Sequence, residues 1–367
     1  MTTKRHLAQT NKQALGQFYT TCADALLSNT PFAYERIVLG RPVLDPFAGQ
    51  GNLLDWAKNV GATTVRGYDL FPKRPAFICR DTLLDPPDYK GFVVVTNPPY
   101  LNANKCRQGD KRPYAKWDTN DYYKCFLASL EPHGCDEALV ILPGNFICES
   151  RGAARRRLFE THHIVSARYW NQQTFEDATT SICVLHLRRG QRDFQSFSLN
   201  LVQENLVVPV VLEDKYNYLW GKDFFDYIEG HSIIVVKTDK GMPEPNTRMV
   251  LSLLDWGRWP SGLNFNSGDP IYCNPNSFTT YQITLPQFNL TITQQKSVVT
   301  HFNAKLTQYR SQYYDLFLAN YMGPGQKILS RGYMHALLGR VLADLWIAPS
   351  PRQSAPKEVQ IALDKHS

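Results

Sequence analysis

The chain has 367 residues, 43% of them hydrophobic and 20% charged, with a formal net charge of +7. These values are ordinary for a soluble globular protein, and the length suggests two domains or one enlarged α/β domain with a large core. No apolar run approaches the roughly 20 residues that a membrane helix needs.

The eight cysteines are scattered with no Cys-x-x-Cys pair, which argues against a zinc cluster or a disulfide framework and suits a reducing cytoplasm. His162-His163 are neighbours that point different ways on a helix or strand. They are read as a surface turn, and no metal is expected. The first residues lack the apolar segment of a secretory leader. Six of the seven excess positive charges lie in residues 1–200, which suits a polyanionic partner.

From 40 to 190, short apolar runs alternate with helical patterns, predicting a mainly parallel sheet with helices on both faces. The expected strands are Pro42–Asp45, Val65–Asp69, Ala76–Cys79, Phe92–Thr96, Glu137–Leu142, Val165–Tyr169 and Ser181–Leu187. One helix is expected from Gly51 through Leu53, Leu54 and Ala57. Another runs from Asp118 or Thr119 through Tyr122, Phe126, Leu127 and Leu130 to a stop at Pro132-His133-Gly134. Arg151 and Arg155, Arg156 and Arg157 read as a solvated helix face. After about 195 the chain turns rich in Trp, Tyr, Phe, Asn, Pro and Gly, with β-like runs such as 232–237, predicting a second domain of mixed, largely β character. Helical patterns return at 297–322, striped by Phe302, Leu306, Tyr309, Tyr313 and Phe317, and again at 327–346. The expected division is a first domain over 1–195, a second over 196–347 and a loose tail over 348–367.

Four features close successive strands of the expected sheet. Val43-Leu-Asp45-Pro-Phe47-Ala48-Gly49-Gln-Gly51 runs from an apolar strand into a glycine turn that lets backbone approach a ligand. It lacks the Gly-Lys-Ser/Thr of a phosphate cradle, and Asp45 would repel a diphosphate, so a cationic or zwitterionic cofactor fits better. Asp69 ends the next strand, where an acid suits ribose hydroxyls, and Asp81 follows the third, where a carboxylate can accept from an adenine amine. The fourth strand delivers Asn97-Pro98-Pro99-Tyr100, a rigid turn whose prolines remove donors and leave carbonyls as acceptors. Asn274-Pro275-Asn276 repeats the Asn-Pro step without a feeding strand and is read as a turn. No nuclease motif is apparent.

In this order of motifs residues 12–190 resemble the amino-methyltransferases, specifically the adenine-N6 DNA methyltransferases of the gamma arrangement. The resemblance rests on Gly16-Gln17-Phe18-Tyr19-Thr20, the Asp45–Gly51 loop, Asp69, Asp81, Asn97-Pro98-Pro99-Tyr100, Leu139–Phe146 and Thr174-Phe175-Glu176. It implies a Rossmann-like α/β fold, mostly parallel with one antiparallel strand, and a C-terminal mixed, largely β target-recognition domain. The implied cofactor is S-adenosylmethionine, held by Phe18, Tyr19, Thr20, Asp45, Phe47, Ala48, Gly49, Gly51, Asp69, Leu70, Asp81, Thr82 and Asn97. The implied catalytic set is Asn97, Pro98, Tyr100 and Phe175, the two aromatics stacking on an extruded adenine of double-stranded DNA. The basic loop Lys105, Arg107, Lys111, Arg112 and Lys116 follows the catalytic turn and is read as contacting phosphates. A cognate restriction endonuclease is the implied partner, in the cytoplasm of a prokaryote or encoded by a phage or plasmid. The same tetrapeptide also serves RNA amino-methyltransferases and protein glutamine N-methyltransferases, and those readings stay open. Cytosine-N4 enzymes more often begin it with serine. A DNA-binding protein on an inactive scaffold is disfavoured by the intact Asn97, Pro98 and Tyr100.

Overall fold

Runs of Val, Leu and Ile without alternating polar residues need cover on both faces, and the strands Pro42–Asp45, Val93–Thr96 and Glu137–Pro143 form there. The computed structural model describes residues 20, 23–107, 109–148, 153–170, 181–216, 218–220, 233–255, 261–273, 279–320 and 327–348. Its strands are β1 (Pro42–Asp45), β2 (Thr64–Asp69), β3 (Ile78–Cys79), β4 (Val93–Thr96), β5 (Glu137–Pro143), β6 (His162–Trp170), β7 (Ile182–Arg189), β8 (Phe194–Leu201) and β9 (Leu206–Glu213). They form one sheet in the order β3-β2-β1-β4-β5-β7-β6-β8-β9. β1 to β5 run parallel, while β7 lies antiparallel between β5 and β6. The fold is therefore mixed α/β with a largely parallel sheet and an antiparallel region.

Helices α1 (Ala23–Leu27), α2 (Glu35–Val38), α3 (Asn52–Val60), α4 (Arg112–Trp117), α5 (Tyr122–Ser129), α6 (Asn145–Cys148) and α7 (Ala153–Phe159) fall between the strands. α3 is bounded by two glycines in the left-handed region, Gly51 at φ 89° and Gly61 at φ 106°. It buries Leu53, Leu54, Trp56 and Ala57 against Val43, Val93, Val95 and Leu139 of the sheet.

Three expectations are corrected. The boundary at 195 falls inside β8, because Phe194–Leu201 pairs with both β6 and β9. The first compact unit accordingly runs to Leu219, built mainly of Met1–Ile147 and Arg151–Leu219, and the second mainly of Trp220–Tyr321 and Gln326–Ser367. His162 and His163 form no surface turn. They begin β6 and are buried, with His162 Nε2 2.9 Å from the Cys135 carbonyl oxygen and His163 Nδ1 3.0 Å from that of Gly190. Arg155 is not solvated either: it is 2% exposed, and its Nη1 donates to the Phe146 carbonyl at 2.6 Å. A guanidinium can be buried there because a carbonyl receives it.

The second unit holds a four-stranded antiparallel sheet of β10 (Val236–Lys237), β11 (Met249–Ser252), β12 (Gly262–Phe265) and β13 (Thr280–Thr284), ordered β10-β13-β11-β12. Helix α8 (Ile292–Gln312) starts in a capping box of Thr291 and Gln294, which ties two orphan amides reciprocally. Asn303 pins it to β12, accepting from Leu263 N at 3.0 Å and donating to Leu263 O at 2.6 Å. Of the expected stripe, Phe302, Leu306 and Tyr309 are buried on α8, while Phe317 is buried beyond its end. Helix α9 spans Arg331–Asp344, capped by Ser330. Residues 349–367 and Asn274-Pro275-Asn276 lie outside the described residues. No helix among the described residues is long and apolar enough to cross a membrane.

Candidate functional site

After β1 the chain crosses to β2, while β4 pairs on the other side of β1. The loops leaving β1 and β4 therefore part at the carboxyl ends of the strands, which is where open α/β sheets bind ligands. Asp45 is the last residue of β1, and Asn97 directly follows β4. Asp45 is 1% exposed; its Oδ1 accepts from Thr96 Oγ1 at 2.6 Å and from Phe47 N at 2.9 Å. Burial pushes its carboxyl up to about 7, the two hydrogen bonds pull the other way, and nearby Asp69 adds to the rise. A buried acid this close to its charge threshold favours a cationic ligand group.

The glycine turn is fastened to the next strand. Ala48 N donates to Tyr68 O at 2.8 Å, and Gly49 N donates to Asp69 Oδ2 at 2.8 Å. Phe71 N donates to the other oxygen, Asp69 Oδ1, at 2.8 Å. Each carboxylate oxygen accepts more than one bond, so Asp69 keeps capacity for a pair of hydroxyls. Gly51 is required on two counts: its φ is 89°, and a Cβ would lie 2.6 Å from Arg74 Cζ and 2.7 Å from Phe77 Cζ.

Asn97 is 8% exposed, and its Nδ2 donates to Thr20 Oγ1 at 3.1 Å. The Tyr100 hydroxyl reaches both Asn97 Oδ1 and, at 2.9 Å, the Ile141 carbonyl. A phenol has one hydrogen, so it serves one acceptor at a time. This tether fixes the Tyr100 ring beside the amide, with the Tyr123 ring edge-on at 6.2 Å.

Thr20, Asp45, Phe47, Ala48, Gly49 and Asn97, all named from the sequence, line one cleft. Gln50, Asn52 and Leu53 line it too and were missed. Asn52 matters most, since its Nδ2 donates to the Thr20 carbonyl at 2.6 Å. The signal was its place just after the glycine turn, at the first position of α3. Thr82 acts through the backbone, donating to the Pro46 carbonyl at 2.7 Å. Asp81 Oδ1 accepts from Leu83 N and Leu84 N at 3.2 and 3.3 Å. Leu70 sits 44% exposed next to Asp69. A buried acid, an acid tied to the turn and an exposed apolar side chain beside it fit a cationic nucleoside cofactor. Phe18, Tyr19 and Phe175 lie outside the described residues.

The expected basic loop is a loop only in part, since Arg112 and Lys116 stand on α4; Lys105, Arg107 and Lys111, which precede that helix, are exposed and make no ion pair among the described residues. Arg112 pairs with Asp110 at 2.6 Å. Lys116 donates to the Leu84 carbonyl and lies 4.9 Å from the Trp117 ring centroid. These two are already engaged.

No family model matches the chain, and neither does any curated protein. Solved structures do resemble it. The methyltransferase subunit of a type I restriction-modification system from Streptococcus thermophilus is 20% identical, with a TM-score of 0.37 over 50% of this chain and 47% of that one. The type IIL restriction-modification enzyme MmeI in complex with DNA is 12% identical, with a TM-score of 0.38 over 60% and 40%. TrmN from Thermus thermophilus is 21% identical, with a TM-score of 0.30 over 46% and 48%. The chain thus spans half or less of each of these structures, and the likeness is one of general fold.

Proposed function

We propose that the protein is an S-adenosylmethionine-dependent methyltransferase acting on the N6 amine of an adenine in double-stranded DNA. The observation that carries this reading is the meeting of Asp45, Thr20 and Asn97 in one cleft at the carboxyl ends of β1 and β4. The cofactor, when bound, supplies an electrophilic methyl group on a sulfonium. Thr20, Asp45 and the Phe47–Gly49 turn would hold its charged end, with Asp69 on the ribose and Leu70 and Asp81 by the adenine.

An adenine amine is a poor nucleophile because its lone pair is delocalised into the ring. Asn97 Oδ1 and the Pro98 carbonyl accept its two N–H bonds, which draws the nitrogen toward tetrahedral geometry and frees the lone pair. The same oxygens stabilise the positive charge that develops on nitrogen. Thr20 and Tyr100 hold the two ends of the Asn97 amide, which supports a fixed orientation for the attack. No nucleophilic side chain is needed. A base must leave the duplex to reach such a pocket, and stacking on Tyr100, with Phe175 on its other face, would return about 1–3 kcal/mol. Lys105, Arg107 and Lys111 then follow the phosphates, and the second unit reads the sequence. The setting we propose is a restriction-modification system, in which the structures from Streptococcus thermophilus and MmeI work.

Incubating the protein with methyl-labelled cofactor and a mixture of plasmid DNA, RNA and protein extract tests the substrate. Label is expected in DNA. Label confined to RNA or to protein glutamine overturns the substrate, and label nowhere overturns the activity.

A further inference from the structure

A second cavity lies in the first unit, and we infer that it binds a small phosphorylated ligand of the nucleotide class. It is open to solvent and has a volume of about 460 Å³, inside the roughly 300–1,000 Å³ span of small-molecule sites. Glu137, the first residue of β5, lines it together with Arg188, its register partner on β7, and Arg41, which directly precedes β1. All three stand at the amino ends of the parallel strands. Asp45 and Asn97 stand at the opposite ends of these strands, so this cavity is separate from the first cleft.

The charges point to an anion. Glu137 has a side chain 9% exposed and accepts from Arg41 Nη1, from Arg188 Nη2 at 2.8 Å and Nε at 3.2 Å, and sits 2.8 Å from His186 Nε2. One guanidinium would neutralise this acid. Two are bound to it, with side chains 41% and 53% exposed, and Arg36 adds a third on the cavity wall with no ion pair among the described residues. The cavity therefore carries three arginines against one carboxylate. Glu137 orients two of the planar forks without exhausting them, and such forks match phosphate oxygens in pairs. Phe32 and Ile37, both half-buried, give the same cavity an apolar wall for a flat ligand body.

Calorimetric titration of the full chain with inorganic pyrophosphate and with guanosine diphosphate tests this, alongside a short DNA duplex. We expect one site for the diphosphates that excess methyl donor does not displace. Arg36→Glu and Arg188→Gln should each weaken it at least tenfold while leaving affinity for the donor within twofold. Arg36 is exposed and makes no ion pair among the described residues, so its variant keeps the fold; a thermal unfolding midpoint checks that. No binding at millimolar diphosphate overturns the inference, as does binding that both variants retain or that the donor displaces. A duplex that binds through Arg36 where the diphosphates do not assigns the surface to nucleic acid and overturns the small ligand.

Discussion

Replacing Asp45 with asparagine separates what the cleft does for stability from what it does for binding. The Asp45 carboxyl is 1% exposed and pushed from an ordinary 3.8 to about 7, chiefly by burial. A folded value raised above the unfolded one means that its stability contribution is fully present below about pH 4. It is lost as pH rises through about 7, by about 4 kcal/mol in all. Asparagine offers the same oxygen to Thr96 Oγ1 and Phe47 N and never ionises. Denaturant unfolding at pH 4 and pH 8 should therefore show a stability difference, variant minus parent, that grows by up to about 4 kcal/mol with pH. Calorimetry at pH 8 should show the methyl donor bound about 10- to 100-fold more weakly, the size of a lost charge-assisted hydrogen bond. In the parent, donor affinity should rise between pH 6 and pH 8, and in the variant it should not. A difference flat with pH, or a variant less stable at pH 8, refutes the buried acid; unchanged donor affinity refutes its role in binding.

Gly51→Ala should cost about 1–3 kcal/mol, because its φ is 89° and the new Cβ meets Arg74 and Phe77; denaturant unfolding without loss contradicts this. Glu137→Ala should cost about 3 kcal/mol at pH 7, the low end for breaking a buried pair, since both arginines reach solvent. Burial works to raise the Glu137 carboxyl, but the bonds from His186, Arg41 and Arg188 outweigh it and hold the group below its ordinary 4.5. The stabilisation is therefore present above that value and lost on acidification, so the variant's deficit should shrink toward pH 3 in the same unfolding assay. Reversing Lys105, Arg107 and Lys111 to glutamate should weaken duplex binding and lower the slope of log affinity against log salt by about 2–3. A salt slope equal to the parent's removes this loop from the interface.

Most of the sheet was legible because buried parallel strands are written as unbroken apolar runs. Phe92-Val-Val-Val-Thr96 can hardly be anything else, and its actual bounds, Val93–Thr96, differ by one residue. The glycine turn and Asn97 were legible because each closes such a run, whereas Asp69 closes a strand that carries Arg66 and exposes its first three residues, and was legible from its spacing after the glycine turn. β8 and β9 were not joined to that sheet, because strands covered on one side alternate, as exposed and buried residues do from Phe194 to Leu199. Alternation says nothing about which sheet a strand joins. Arg155 misled because charge predicts solvent only until a carbonyl such as that of Phe146 receives it. The helix α8 was placed five residues late although Thr291-x-x-Gln294 marked its start. The tie between Tyr100 and Asn97 depends on side-chain direction after a proline turn, which no spacing encodes.

The most direct test digests plasmid DNA to nucleosides after incubation with the methyl donor and the protein, and measures modified bases by mass spectrometry. The account predicts N6-methyladenine with the parent, and with Asn97→Ala a loss of at least about 100-fold in rate at saturating methyl donor. N4-methylcytosine in its place, or N6-methyladenine formed equally well without the Asn97 amide, would contradict it.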